Sequence, residues 1–181
     1  MEYLFIDTET GGLDPFKHSL LQVGLVAYAN GGIEDKIEIS IKENSYNVSM
    51  DALKYNGLDL YEDIYKVGVT KDVAVDKIIE FIERNFKDKP VLAGHNLSLD
   101  KYMLRQLLKV KGINMDEYIN HRMIDTMSLL WGLYIAGKIP LEACSSSGAL
   151  DYFGIEVKNK HRALEDCMGT IEVFEKIKKL L

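Results

Sequence analysis

A chain of 181 residues with 47% hydrophobic side chains can fill one core and is short for two, so one domain over residues 1–181 is expected. Twenty-eight acidic against twenty-two basic residues leave a net charge of −6, which opposes sequence-independent wrapping of long nucleic acid but accepts a small substrate end. Cys144 and Cys167 lie far apart and outside any C-x-x-C spacing, which argues against a disulfide framework or zinc ribbon and makes a reducing, cytoplasmic setting the expectation.

The opening run Tyr3 to Ile6 is apolar, and no basic segment, apolar stretch and cleavage site precede it, so the first residues read as fold rather than as a secretory signal. Leu20 to Tyr28 and Gly32 to Ile41 follow as strands, the latter alternating through Ile33, Ile37, Ile39 and Ile41. Asn30-Gly31-Gly32 between them tolerates positive φ, so the two strands are expected to pair as an antiparallel hairpin. A connecting stretch around Asn56-Gly57 leads to a helix over Lys71 to Phe86, with Val75, Ile78, Ile79, Ile82 and Phe86 at helical spacing.

Pro90 to Gly94 reads as a buried strand and Asp100 to Lys111 as a second helix with Met103, Leu104, Leu107 and Leu108 inward. Met123-Ile124-Asp125 is a candidate fifth strand, and helices follow near Thr126 to Ile135 and Ser146 to Phe153. The uncharged stretch from Met127 to Ala136 is well short of the roughly 20 residues of a membrane span, so no membrane partner is expected. The last helix is placed at about Arg162 to Leu180, with Ala163, Cys167, Ile171, Phe174 and Ile177 on one stripe and lysines near its negative end. A β-meander followed by αβα and closing helices predicts an α/β fold: a mixed five-stranded sheet flanked by helices.

Three acidic clusters punctuate these elements: Asp7-Thr8-Glu9-Thr10, Asn96-Leu97-Ser98-Leu99-Asp100 and His161-Arg162-Ala163-Leu164-Glu165-Asp166. Residues two apart on a strand share a face, so Asp7 and Glu9 at the end of strand one would point together, with Thr8 opposite. Gly11-Gly12 just after them permits a close backbone approach by a phosphate or sugar. Asp100 lies beside the apolar stripe of its helix, facing the sheet, or else caps that helix; Asn96 is a substrate contact or a loop-closing residue. Asp166 sits at the edge of the buried stripe of the last helix. His161, five positions earlier, cannot share its helical face and belongs on the preceding loop, swung over the acidic site. Carboxylates at core-like positions cost several kcal/mol unless positive charge offsets them, and divalent ions are the usual offset.

With these residues in place, the chain resembles the DEDDh family of 3′-to-5′ exonucleases, which includes polymerase proofreading subunits and RNA-trimming enzymes. Phe5-Ile-Asp-Thr-Glu-Thr-Gly-Gly-Leu13, Gly94-His-Asn-Leu-Ser-Leu-Asp100 and His161-Arg-Ala-Leu-Glu-Asp166 resemble its three motifs, over essentially the whole chain. Leu99 departs from the Phe that family members often carry at that position. The resemblance implies a ribonuclease-H-like fold and two Mg²⁺ or Mn²⁺ ions held by Asp7, Glu9, Asp100 and Asp166, with His161 as general base. It implies substrate contacts from Thr8, Thr10, Gly11, Leu13, Asn96 and Tyr102. The partners it implies are single-stranded DNA or RNA 3′ ends and a DNA polymerase. Lys158, Lys160 and Arg162 could attract phosphates or form a solvated loop. His18, His95 and His121 are expected to be structural, and Asp125 a helix cap. The expected activity is release of nucleoside 5′-monophosphates, with DNA slightly favoured over RNA trimming; a noncatalytic module that binds nucleic-acid ends is the rival from another class.

Overall fold

The structure, a computed structural model, describes residues 2–181. Strands β1 (Tyr3–Thr10), β2 (Leu20–Ala29) and β3 (Gly32–Ser40) form the expected antiparallel meander. At its second turn Asn30 and Gly31 both take positive φ, 54° and 82°, the conformation that a hairpin matching strand twist requires. Strands β4 (Val91–Gly94) and β5 (Met123–Asp125) add in parallel to the other edge of β1, giving the order β3-β2-β1-β4-β5. The expected mixed five-stranded sheet is therefore present, with β1 at its centre.

Helices cover both faces of the sheet. On one, Leu4 and Ile6 of β1 pack with α2 (Lys71–Asn85) and α3 (Ser98–Lys109) through Val75, Ile78, Phe81, Leu104 and Leu108. On the other, Phe5, Val26 and Tyr28 pack with Cys167, Ile171 and Phe174 of the last helix. Strand β2 is buried along all ten residues because both of its faces are covered, which explains why its sequence is apolar on both faces but for Gln22. Each large side chain so buried contributes about 1.5–3 kcal/mol, which makes the helix stripes firm anchors for whatever the helix ends carry.

Two elements were read from the sequence only as a connection. Helix α1 (Met50–Asn56) is one of them; Ser49 caps its start by accepting from the Ala52 N–H, and Gly57, at φ 62°, closes it in the left-handed region. A π-helical turn at Leu60–Tyr65 follows, capped by Asp59. Both are too short to show an apolar period, although the Ser49 and Gly57 punctuation was there to read. Helices α4 (Thr126–Ile135) and α5 (Ser146–Phe153) pack with the last helix, α6 (Ala163–Lys178), around Leu130, Leu150, Val173 and Ile177. Among the described residues no helix is long and apolar enough to cross a membrane.

Candidate functional site

Strand β1 carries the first two carboxylates. Alternation sends Asp7 and Glu9 to the same side as Phe5, facing α6, and sends Thr8 to the side of α3. Asp7 pairs with Gly24 of β2, and that glycine controls how closely α6 can approach. A Cβ on Gly24 would lie 2.4 Å from the Ala163 carbonyl carbon and oxygen and 2.5 Å from the Leu164 nitrogen. Helix α6 therefore begins directly on the sheet beside Asp7.

The first turn of α6 is capped by the sheet rather than by its own chain. Arg162, at the N-cap position, makes no side-chain cap. Instead Gln22 Oε1 accepts from the Ala163 N–H at 3.3 Å and Glu38 Oε2 accepts from the Leu164 N–H at 3.2 Å. Deeper in, Cys167 Sγ donates to the Gly24 carbonyl at 3.4 Å. Three strand residues thus set the height and rotation of the turn that presents Asp166.

His161 sits on the loop before α6, as expected, in the left-handed region at φ 66°. That conformation is uncommon for a residue with a Cβ. It is held by the His161 N–H, which donates to Asp166 Oδ2 at 3.0 Å, and by the Tyr55 ring of α1, whose centroid is 4.6 Å from the imidazole. Arg162 turns the other way and pairs with Asp63 at 3.0 Å, tying the loop to the π-helical turn. It is a tether for the loop rather than a cation free for phosphate.

Asp100 enters from α3. It is buried in the first turn, and its Oδ1 accepts from Thr8 Oγ1 at 2.7 Å, a bond that links motifs 92 residues apart. The N-cap reading of Asp100 does not hold, because Leu97 occupies that position. Asn96, at φ 57°, turns the chain between β4 and α3, and its N–H donates to Asp125 Oδ1 at 2.8 Å. Asp125 also accepts from the Met127 N–H at 3.0 Å, which makes it the cap of α4.

These side chains meet in one cleft of about 430 Å³, lined by Asp7, Thr8, Glu9, Asn96, Asp100, His161 and Asp166. Thr10, Gly11, Leu13 and Tyr102 are not among its lining residues. Thr10 Oγ1 donates to the Gly12 carbonyl at 2.9 Å. The close approach allowed by Gly11 is used by the chain itself: a Cβ there would lie 2.3 Å from the Asn47 carbonyl, leaving no room at that spot for a phosphate. The His18 ring similarly fills the space over Gly12. Leu13 is 86% exposed, and Tyr102 lines a separate depression. A larger cavity of about 690 Å³, between the β1–β2 loop and α3, holds none of the four carboxylates.

The cleft also contains residues that sequence reasoning passed over. Tyr55 lies on the missed helix α1. His95 was set aside for want of a carboxylate neighbour in sequence, yet it lines the cleft with its Nδ1 3.0 Å from Thr126 Oγ1, and burial lowers its pKa. Its place between Gly94 and Asn96 was the available signal. Ser145, Ser146 and Ser147, at the start of α5, line the cleft too and had no signal at all.

Gathering four buried or half-buried carboxylates shifts their protonation. Burial, then the charges of Asp100, Asp166 and Glu9, holds the Asp7 carboxyl well above the ordinary carboxylate range. Glu9 is pushed up to about 8, mainly by burial and then by Asp166, with Arg162 opposing. Asp100 is raised to about 6 by burial, with the Thr8 hydrogen bond working against the rise. Asp166 is raised by burial and partly relieved by the His161 N–H. A cluster like this lacks positive charge. One ligand atom from each of Glu9, His161 and Asp166 lies within 4.8 Å of the others, a set that could hold a metal ion.

The family model described as exonuclease matches residues 4–174. Ribonuclease T of Wigglesworthia glossinidia brevipalpis is 27% identical over 181 residues, covering 93% of this chain and 80% of that protein. The PolC-type DNA polymerase III of Caldanaerobacter subterraneus is 25% identical over 176 residues, covering 97% of this chain but only 11% of the polymerase. Among solved structures, E. coli exonuclease I in complex with a dT13 oligonucleotide is similar with a TM-score of 0.84 at 18% identity, and a zinc-bound exonuclease I complex with single-stranded DNA with a TM-score of 0.85. The chain spans 41% and 40% of those two structures, so the likeness is one of fold.

Proposed function

The chain belongs to the exonuclease family, and from that membership we propose that it removes nucleoside 5′-monophosphates one at a time from the 3′ end of a single or frayed strand. It is a DnaQ-like 3′-to-5′ exonuclease with a ribonuclease-H-like fold, and hence a phosphodiester hydrolase. The observation that carries the finer reading is the convergence of Asp7, Glu9, Asp100, Asp166 and His161, from three distant segments, in one cleft.

The donors fit divalent cations. Four carboxylates with raised pKa values, Glu9 and Asp100 buried and Asp7 and Asp166 half-buried, form an oxygen-rich, charge-deficient set that suits hard ions such as Mg²⁺ or Mn²⁺. Asp7, Glu9, Asp100 and Asp166 would hold two such ions. When bound, these ions supply charge stabilisation to an in-line phosphoryl displacement and make water easier to deprotonate. His161, kept near Glu9 and Asp166 by its own backbone hydrogen bond, would accept the proton of the attacking water. Thr8 orients Asp100 through its donated hydrogen bond. Asn96, with Tyr55 beside His161, forms the wall against which the terminal nucleotide rests.

Single-stranded DNA is the first substrate to test, a reading supported by the PolC-type polymerase that matches 97% of this chain. RNA is the second reading, favoured by the ribonuclease T relatives, which match this chain over most of both lengths. The deciding experiment follows 5′-labelled DNA and RNA oligonucleotides, single-stranded and as 3′-mismatched duplexes, with Mg²⁺, Mn²⁺ or EDTA. Stepwise metal-dependent shortening from the 3′ end is expected. Folded protein that shortens no strand with either metal would leave the end-binding module as the better account.

A further inference from the structure

We infer that the outer face of α3 is a track for the single strand upstream of the terminal nucleotide, an inference that rests on the exonuclease reading above. The first turn of this helix divides two surfaces. Leu99 and Asp100 line the cleft, whereas Ser98, Lys101, Tyr102 and Arg105 line a depression of about 230 Å³ on its other side. Arg105 also lines the next depression, of about 360 Å³, which continues to Lys109 and the turn after the helix. Two depressions that meet at Arg105 therefore follow the cleft along the length of α3, the first of them starting at Leu97 and Ser98, next to Asn96 of the cleft.

The α3 side of these depressions is cationic, with Asp125 and Asp116 on their other walls. Lys101, Arg105 and Lys109 are four residues apart, so each lies only about 40° around the helix from the last. Among the described residues none of the three is in an ion pair. In a chain with net charge −6, an unpaired cationic stripe beginning at the rim of an acidic cleft has a natural anionic occupant in a phosphate backbone. Of the two carboxylates, Asp125 accepts from the Asn96 and Met127 N–H groups, and Asp116 lies at the far end.

An aromatic pair stands beside the stripe. Tyr102 is 47% exposed and packs against Phe16, 77% exposed, with ring centroids 6.1 Å apart. Exposed rings next to unpaired cations are the combination by which proteins hold single strands without reading sequence, the cations taking phosphates and the rings stacking a base. Tyr102, expected to contact the terminal nucleotide, thus finds a use in binding the strand one step outside the cleft.

The test uses the full chain. Binding of fluorescein-labelled 20-nucleotide oligo-dT and oligo-U is measured by anisotropy in EDTA at several salt concentrations, and trinucleotide cleavage is measured with Mg²⁺. Arg105→Ala/Lys109→Ala should raise Kd for the 20-mer about tenfold and flatten the salt slope by about 1.4, from two lost phosphate contacts, with trinucleotide turnover unchanged. Tyr102→Ala should raise Kd several-fold with the slope intact. A double variant that binds the 20-mer as tightly as wild type overturns the inference. So does an equal loss on trinucleotide and 20-mer, or displacement of the 20-mer by poly-glutamate as effective as by unlabelled oligonucleotide. Wild type that cleaves neither DNA nor RNA, while the variants still lose 20-mer affinity, would sink the exonuclease reading and leave the track standing.

Discussion

Gly24→Ala adds one methyl group to the sheet and should disable the site by lifting a helix. The new Cβ would start 2.4 Å from the Ala163 carbonyl, and ordinary contact begins at 3.4 Å, so the start of α6 must retreat by about 1 Å. The obstacle is helix backbone, which has no rotamer with which to step aside. Retreat stretches the Ala163–Gln22 and Leu164–Glu38 hydrogen bonds, already at 3.3 and 3.2 Å, and carries Asp166 away from Asp7 and Glu9. Overpacking of this kind costs about 1–3 kcal/mol, and a displacement of about 1 Å at catalytic groups can lower turnover by about 100-fold. Gly32→Ala is the matched control, since a Cβ there meets nothing within 4 Å. Melting temperature and kcat/KM on a 5′-labelled oligonucleotide are measured for both. A Gly24→Ala protein with wild-type turnover and wild-type melting would refute the claim that this contact positions Asp166.

Asp7→Asn should abolish cleavage, by about 1,000-fold or more, while the metal-free fold is retained or stabilised, because it removes a buried charge that three other carboxylates repel; full activity would remove Asp7 from the chemistry. His161→Ala should lower kcat much more than it weakens metal binding, seen by calorimetric titration of Mn²⁺, and an unchanged rate across pH would exclude His161 as the base. The raised pKa of Glu9 sets a pH window: its folded value of about 8 exceeds its ordinary 4.5, so the folded state holds the proton more tightly and stability falls as pH rises between those values. Urea unfolding in EDTA should therefore show wild type losing stability relative to Glu9→Gln from pH 5 to pH 8.5, with Mg²⁺ restoring it at the upper end. A wild type that gains on Glu9→Gln over that range in EDTA would contradict the burial argument.

Much of this protein is written locally. Alternation put Asp7 and Glu9 on one face of β1, three- and four-residue spacing marked the buried stripes of α3 and α6, and Asn30-Gly31 announced the hairpin; each signal spans fewer than twenty residues and depends only on the geometry of a strand, helix or turn. Distances between elements are not written that way. That Gly24 sets the height of α6, that Thr8 holds Asp100 across 92 residues, that Gly11 spends its close approach on Asn47, and that Tyr102 falls outside the cleft all depend on which surfaces dock and how deeply. Docking is decided by summed burial and steric fit over the whole core, to which each residue contributes a little and no short pattern corresponds. The sequence by itself therefore named the carboxylates and the histidine; their meeting in one charge-deficient cleft was decided by the packing of α3 and α6 on the sheet.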